Sequence, residues 1–587
     1  MAEVRNLITE NLDIWSAAIK KKAATGRGSN SKSELTGIKK LRELILELAM
    51  RGKLVPQDPA EKPASVLLEK IAEEKTRLIV DKKIKKQKSL PDISYDEKKI
   101  SLPKGWDWIR LTDIALIGTG ATPSRDNPAY YEPSEHNWVT SGETSQEYIF
   151  KTKEKISSLA VSETNVSIYP AGTLVIAMYG QGKTRGQITE LQIEAGTNQA
   201  CAAIQLLESS IEHRAYIKLF FQKAYEEMRS LAEGGAQPNL NVGKVSKAVV
   251  PIPPLAEQNR IVQKVKELMT LCDQLEQQTE DSIQAHQTLV EVLLDTLTNS
   301  VNSEDFQQNW QRIAEHFDTL FTTEHSVDHL KQTILQLAVM GKLVQQDPDD
   351  EPASVLLEKI AAKKAQLIAD NKIKKQKPLP EITEEEKPFD LPQGWVWTRL
   401  QDVIDVRDGT HDSPKEAIGE NTFPLVTSKD FKNGKIDFKG AKRISSIAHE
   451  EISKRSKVDR YDILFSMIGG NIGNQVIVEE DRPFSIKNVA LFKYFSTEHT
   501  LPYFIKIFTE ELAIELQHKS SGGAQPFVSL KVLRSLVFAL PPVSEQLRII
   551  SKTNELITLC EQLKTNIQQN QITKVNLAET LVKQGLS

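Results

Sequence analysis

The chain has 587 residues, 39% hydrophobic and 26% charged, with a formal net charge of −4 at pH 7. That length exceeds a single hydrophobic core, so three or more domains are expected, and no run of 18 apolar residues offers a membrane span. The small net charge selects no partner and excludes none, because nucleic-acid binding uses local patches.

The first residues, MAEVRNLITENLDIW, lack a basic stretch followed by an apolar one, so no secretory signal is expected. NLDIWSAAIKKKAATGRGSNSKSEL reads as a helix and a Gly/Ser-rich connector. NWQRIAEHFDTLFTTEHSVDHL is its expected counterpart later in the chain, with Trp15 and Trp310 as packing residues. Leu41, Ile45, Leu48 and Ala49 follow helical spacing. Pro63 stands where a proline opens a helix, and ASVLLEKIAEEKTRLIV continues it with an amphipathic pattern. The basic run KIKKQK that follows reads first as a solvated linker and second as a phosphate contact. A mixed α/β stretch comes next, with GTLVIAMY as a strand and IEHRAYIKLFFQKAYEEMRSLA as a helix. After the double proline at 253–254, Ile261, Val265, Leu268, Cys272 and Leu275 step by 4, 3, 4, 3, as coiled-coil core positions do. A helix of about 40 residues there would span about 60 Å.

Much of this pattern is then written again. GKLVPQDPAEKPASVLLEKI at Gly52 returns as GKLVQQDPDDEPASVLLEKI at Gly341, an offset of 289 that persists through LPKGW and LPQGW. GGAQP at Gly234 and its following PP…EQ helix return at Gly522, an offset of 288. The second seam is Ile549, Thr553, Leu556, Cys560, Leu563 and Ile567. Cys272 and Cys560 therefore read as buried apolar residues, and with Cys201 they form no metal spacing. Three unpaired cysteines fit a reducing cytoplasm.

The stretches between the repeated blocks, 115–233 and 404–521, align only in islands: VTSGE with VTSKD, Met178 with Met467, Asn198 with Asn488. One fold carrying two different surfaces is the expectation. DILFSMI and LPYFIKIFTEELAIELQHKS supply a strand and a helix in the second copy.

Motifs for chemistry fail one by one. AMYGQGKTRG satisfies a relaxed phosphate-binding loop, but RGQITELQIEAG after it alternates like a strand, and the second copy, SMIGGNIGNQ, has no lysine. NPAY at Asn127 reads as a turn rather than a methyltransferase tetrapeptide, and Pro91-Asp92 with Asp96 and Lys98 is too tightly spaced for a nuclease. A nucleotide hydrolase and a coiled-coil protein scaffold remain as competing readings. Nucleic-acid binding has more support. Between Lys429 and Arg460 there are ten cationic residues against five acids, a surface able to collect phosphates.

On its duplicated GKLV…PASVLLEKI block, LPKGW and LPQGW segments, GGAQP segments and PP…EQ…I helices, the chain resembles the specificity subunit of type I restriction–modification systems. The resemblance covers nearly the whole length. It implies two mixed α/β target-recognition domains separated by long helices forming an antiparallel coiled coil, with an internal pseudo-twofold repeat. The expected segments are an N-terminal helical region 1–100, recognition domains 101–254 and 390–542, a central helical spacer 255–389 and a C-terminal helix 543–587. Each recognition domain would read half of a bipartite, asymmetric target in double-stranded DNA. The helices would set the spacer and dock two modification subunits, adenine N6-methyltransferases, and restriction/translocase subunits would join the full complex. The chain itself would catalyse nothing and hold no cofactor; S-adenosylmethionine, ATP and Mg²⁺ would sit on its partners. The resemblance names no base-reading residues. Polar loops supply the candidates: Thr122, Ser124, Arg125, Ser141, Glu143, Thr144, Gln181, Lys183, Thr184 and Arg185 in the first domain; Thr410, His411, Ser413, Lys415, Ser428, Lys429, Lys432, Asn471 and Asn474 in the second. Gln237 and Gln525 occur in both copies and are expected to serve structure or a shared backbone contact.

Overall fold

The repeated blocks meet each other in space, and that contact explains their residues. Gly52 has φ +64, and a β carbon on it would lie 2.5 Å from the Pro103 ring and 3.0 Å from Trp106. Gly341 has φ +70, and a β carbon on it would lie 2.6 Å from the Pro392 ring and 2.8 Å from Trp395. GKLV and LPxGW are thus the two sides of one tight joint that tolerates only glycine. The helices Ala64–Val80 and Ala353–Ala369 start from the same joint: Ala64 N–H donates to Gly105 O and Ala353 N–H to Gly394 O, both at 2.8 Å. Pro63 and Pro352 sit one place before the first helical residue, as caps.

The computed structural model describes residues 2–21, 33–85, 90–179, 184–225, 240–519 and 527–586. It comprises two compact units, Met1–Ser282 with Asn570–Ser587, and Ile283–Gln569. In the first unit the helix Thr36–Met50 buries Ile38, Leu41, Leu44, Ile45 and Leu48. Trp15 is fully buried beside it, as expected. Trp310 differs. It lies in the helix Ser303–Glu315 but is 41% exposed, and Ile313 faces the core of the second unit in its place. Side chains three residues apart on a helix lie only about 60° apart, so Trp310 sits at the solvent-side edge of the buried stripe that Ile313 belongs to.

Two helices of 44 residues, Leu255–Thr298 and Val543–Leu586, follow the double prolines. Ile261, Val265 and Cys272 are buried in the first, and Ile549, Thr553, Cys560 and Ile567 in the second. Fully burying one isoleucine contributes about 1.5–3 kcal/mol. Burial pushes the Cys272 thiol up to about 11, the behaviour of a packed apolar group.

The EQ pair opening each long helix is a polar anchor. Trp106 Nε1 donates to Glu257 at 3.0 Å, and Trp395 Nε1 to Glu545 at 2.9 Å. Gln258 donates to Pro253 O at 2.9 Å, and Gln546 to Pro541 O at 3.0 Å. The segments at Pro91 and Pro380 are braced by buried arginines. Arg110 forks onto Glu97 and donates to Pro91 O; Arg399 forks onto Glu386 and donates to Pro380 O.

The two middles share one topology. The first has a five-stranded sheet in the order Ala115–Thr119, Cys201–Leu206, Leu174–Ala177, Ile188–Leu191, Tyr148–Ile149. Beside it lies a four-stranded sheet: Glu154–Ile156, His136–Val139, Ala195–Thr197, Ile168–Tyr169. Val139 and Ala195 of one sheet pack with Val175, Leu191 and Cys201 of the other. The second middle keeps this order with one strand fewer in each sheet: Ile404–Asp408, Val489–Tyr494, Ile463–Ser466, Gln475–Ile477, and Lys442–Ser445, Thr422–Val426, Ser485–Ile486. Most pairings are antiparallel; Ala195–Thr197 with His136–Val139, Ile188–Leu191 with Tyr148–Ile149, and Thr422–Val426 with Ser485–Ile486 are parallel. The helices Ile211–Lys223 and Pro502–Lys519 occur where the sequence predicts them.

Candidate nucleic-acid interface

Each reader-like domain displays its variable loops from the same frame. The strand Ala115–Thr119 exits through Gly120, where an added β carbon would stand 1.5 Å from Thr197 O. Ile404–Asp408 exits through Gly409, where an added β carbon would stand 2.6 Å from Ile486 O. Both chains slip between the two sheets where a side chain cannot fit, then present Thr122–Arg125 or Thr410–Lys415. The VTSGE and VTSKD islands form the second shared device. Glu143 accepts from Thr140 N–H and Oγ1 at 2.9 and 3.0 Å; Asp430 accepts from Thr427 N–H and Oγ1 at 2.7 and 2.9 Å. These are reciprocal caps on short 3₁₀ turns.

In the first domain the loop after Gly120 is held down. Trp138 Nε1 donates to Ala121 O at 3.2 Å, and Tyr131 Oη to Pro123 O at 2.7 Å. Arg125 lies over the rings of Tyr131 and Trp138, 4.7 and 5.5 Å from their centres, and pairs with Glu154 at 2.6 Å. It is nevertheless exposed. A guanidinium fixed this way loses little entropy when it binds. Thr122 and Ser124 are exposed beside it, Thr122 hydrogen-bonded to Gln199. Ser141 is half-buried. Glu143 and Thr144 are each only 2% exposed. Glu143 also accepts from Lys153 N–H at 2.9 Å, and Thr144 Oγ1 donates to Ser141 O at 2.8 Å. Those two residues shape the loop from beneath. Thr184 and Arg185 are half-buried. Gln181, Lys183, Gln237 and Gln525 lie outside the described residues.

In the second domain His411 bridges Asn488 and Asp408, at 3.1 Å on each side, an arrangement that organises its loop. Lys487 donates to Ser413, and Lys442 to Pro414 O at 2.7 Å. Thr410 is half-buried and pairs in a bridge with Lys487; Lys415 is exposed. Ser428 is half-buried at the start of the capped turn and Lys429 is exposed on it. Lys432 pairs with Asp437 at 2.6 Å. Asn471 and Asn474 are exposed around a tight turn, where Asn474 N–H donates to Asn471 O at 3.0 Å. Of the ten cations between Lys429 and Arg460, Lys429, Lys435, Lys439, Lys442 and Arg443 are exposed with no carboxylate within 4.0 Å among the described residues. Gln199 and Lys487 join these loops although the loop sequences alone did not single them out. Their signal was adjacency to the Asn198 and Asn488 islands.

The other motifs resolve simply. Leu174–Ala177 is followed by an antiparallel strand, Ile188 opposite Ile176, where a phosphate-binding loop requires a helix. Asn127 caps a short 3₁₀ turn, accepting from Ala129 N–H at 3.2 Å. No group of three His, Cys, Asp or Glu residues converges for a metal among the described residues, and no helix there is long and apolar enough to cross a membrane.

Comparison with known proteins agrees with this duplicated plan. The family described as type I restriction modification DNA specificity domain matches twice, at residues 103–285 and 392–574. The specificity subunit of type I restriction enzyme EcoAI from Escherichia coli is 40% identical, with 100% of both chains covered. That of EcoEI, from the same organism, is 38% identical over 100% of both chains. The crystal structure of an HsdS subunit from Thermoanaerobacter tengcongensis aligns at 16% identity and a TM-score of 0.41, covering 84% of this chain and 98% of that one.

Proposed function

The chain belongs to the type I restriction–modification specificity subunits, with two target-recognition domains, and from that premise we propose how it divides the work of reading DNA. Residues 101–254 and 390–542 each read one half of a bipartite, asymmetric target. The observation that carries this is the shared sheet frame with unlike loops: Gly120 and Gly409, and the caps at Thr140 and Thr427, hold equivalent positions while the displayed side chains differ. In the first domain Arg125 reads a base edge, flanked by Thr122 and Ser124, and Lys183 meets a DNA phosphate. In the second, Lys415, Lys429, Asn471 and Asn474 meet the duplex, and His411 holds its loop in shape. Glu143 and Thr144 act as supports.

The two 44-residue helices pair antiparallel as a coiled coil, set the spacer and dock two modification subunits. Those partners hold S-adenosylmethionine and methylate adenine N6; restriction/translocase subunits use ATP and Mg²⁺. The chain performs no reaction of its own and works in the cytoplasm. Support comes from the conventional packing of its repeated blocks, which commit Trp106, Glu257, Trp395 and Glu545 to structure.

The test is an exchange of residues 404–521 for those of a relative, expressed with the modification subunits, followed by methylome sequencing. One half of the methylated motif changes and the other stays. A change in both halves, or a continuous motif, contradicts independent readers.

A further inference from the structure

The second recognition domain carries a polar cleft that the base-reading loops do not account for. Lys372 and Lys374, from the second copy of KIKKQK, line it together with Arg407, Lys454, Arg455 and Arg534. Four acids share the cleft: Asp405, Asp408, Asp412 and Glu451. Asp370 pairs with Lys372 at 3.3 Å beside the cleft, so the local balance is positive by one. Three of the four acids within it are already engaged. Asp405 takes Arg407 at 2.7 Å and Gln376 at 3.2 Å, Asp408 takes Arg455 and His411, and Glu451 takes Lys454 at 2.6 Å. Arg534 donates through Nε and Nη2 to Val406 O, at 3.0 and 2.6 Å, so its charge meets a carbonyl rather than a carboxylate. Lys374 is exposed and has no carboxylate within 4.0 Å among the described residues. Thr410 and Asp412 of the variable loop form another wall of the same cleft.

We propose that this cleft seats a backbone phosphate of the DNA bound by the second domain; the proposal rests on reading that domain as a DNA reader. The repeat gives the reason for phosphate rather than base. KIKKQK is identical in the two halves, and a segment shared by readers of two different sequences carries no sequence information. Two of the arginines that line the cleft are specific to the second domain. Arg407 and Arg534 correspond to Gly118 and Ser246 in the first, from the equivalent strand and the equivalent short helix. The shared arm thus provides the cation, and the divergent residues decide where a phosphate is clamped beside the reading loop.

The test uses the full chain with its modification subunits, a duplex carrying the mapped methylation motif and an unrelated duplex, titrated across salt concentration. The variant is Lys372→Ala/Lys374→Ala, at two exposed positions. Affinity falls about three- to tenfold for both duplexes, the slope of log K against log salt shrinks by roughly 1 to 2, and the methylated motif stays the same. Lys372→Arg/Lys374→Arg restores the slope. An unchanged slope, a loss confined to the cognate duplex or an altered motif overturns the phosphate seat while leaving the DNA reader in place. A wild-type complex that binds neither duplex overturns the reader itself, and the seat with it.

Discussion

Replacing Glu545 by alanine tests the anchor at the start of the second long helix. Glu545 is 1% exposed and accepts from Trp395 Nε1 at 2.9 Å and Gln346 Nε2 at 3.1 Å. Gln346 has a second acceptor in Gly341 O at 2.6 Å, so only the buried indole N–H is orphaned. Losing two hydrogen bonds to a charged acceptor and stranding one donor would cost several kcal/mol. Part of that is returned, because burial raises the Glu545 carboxyl above its ordinary range despite both donors; the ionised group carries an uncompensated desolvation cost. The net is about 2–3 kcal/mol. For a unit of about 290 residues, with unfolding entropy near 0.6 kcal/mol/K, the melting temperature falls by about 4 °C. Glu545→Gln keeps the acceptor and sheds the charge, so it costs under about 1 kcal/mol. Calorimetry of the full chain reads the shift. Hydrogen exchange on peptides covering residues 392–400 localises it, which matters because a chain of two units need not unfold in one step. If glutamine proves as damaging as alanine, the charge rather than the acceptor holds the joint, and the reasoning fails. If alanine shifts melting by less than about 1 °C, there is no anchor.

Two further outcomes are expected. Arg110 holds the Glu97 carboxyl down at about 2, below its ordinary 4.5, so the brace on residues 90–102 is fully present above pH 4.5 and is lost as pH falls through about 2. The extra proteolytic cleavage of that segment in Arg110→Met relative to wild type should therefore be large at neutral pH and shrink in acid; a pH-independent difference refutes the ion-pair account. Arg125→Ala should relax one position in the first half of the methylated motif, at about 1–3 kcal/mol of lost discrimination, and Arg125→Lys should not restore it. Methylome sequencing that shows uniform weakening across positions would make Arg125 a phosphate contact.

The framework was legible because its physics is periodic. Ile261, Val265, Cys272, Ile549 and Cys560 were placed by heptad spacing and are buried. The brace at Pro91 was harder. Its acid and arginine, Glu97 and Arg110, are 13 residues apart, and only the same spacing from Glu386 to Arg399 marks them as a pair. Trp310 shows the opposite error: an aromatic in an amphipathic stretch reads as core, yet it falls on the solvent side. Within the site, polarity proved a poor guide to exposure. Glu143 and Thr144 look like readers, but Thr140-x-x-Glu143 is also a capping box, and the box spends them on the turn. Lys487 and Gln199 reach the Thr410 and Thr122 loops by a bridge and a side-chain hydrogen bond across 77 residues each, and only their place beside the Asn488 and Asn198 islands marks them in the sequence.

Strand Asp107–Arg110 is hydrogen-bonded to Val249–Ile252, and Val396–Arg399 to Val537–Leu540. The chain therefore enters and leaves each domain side by side, about 5 Å apart. Whatever lies between those strands forms a closed excursion whose ends stay clipped together. Insertions, deletions or wholesale replacement inside it leave the clip undisturbed. Such a domain can be inherited as a cassette, and a lineage can acquire a new DNA address without rebuilding the machinery that acts on it.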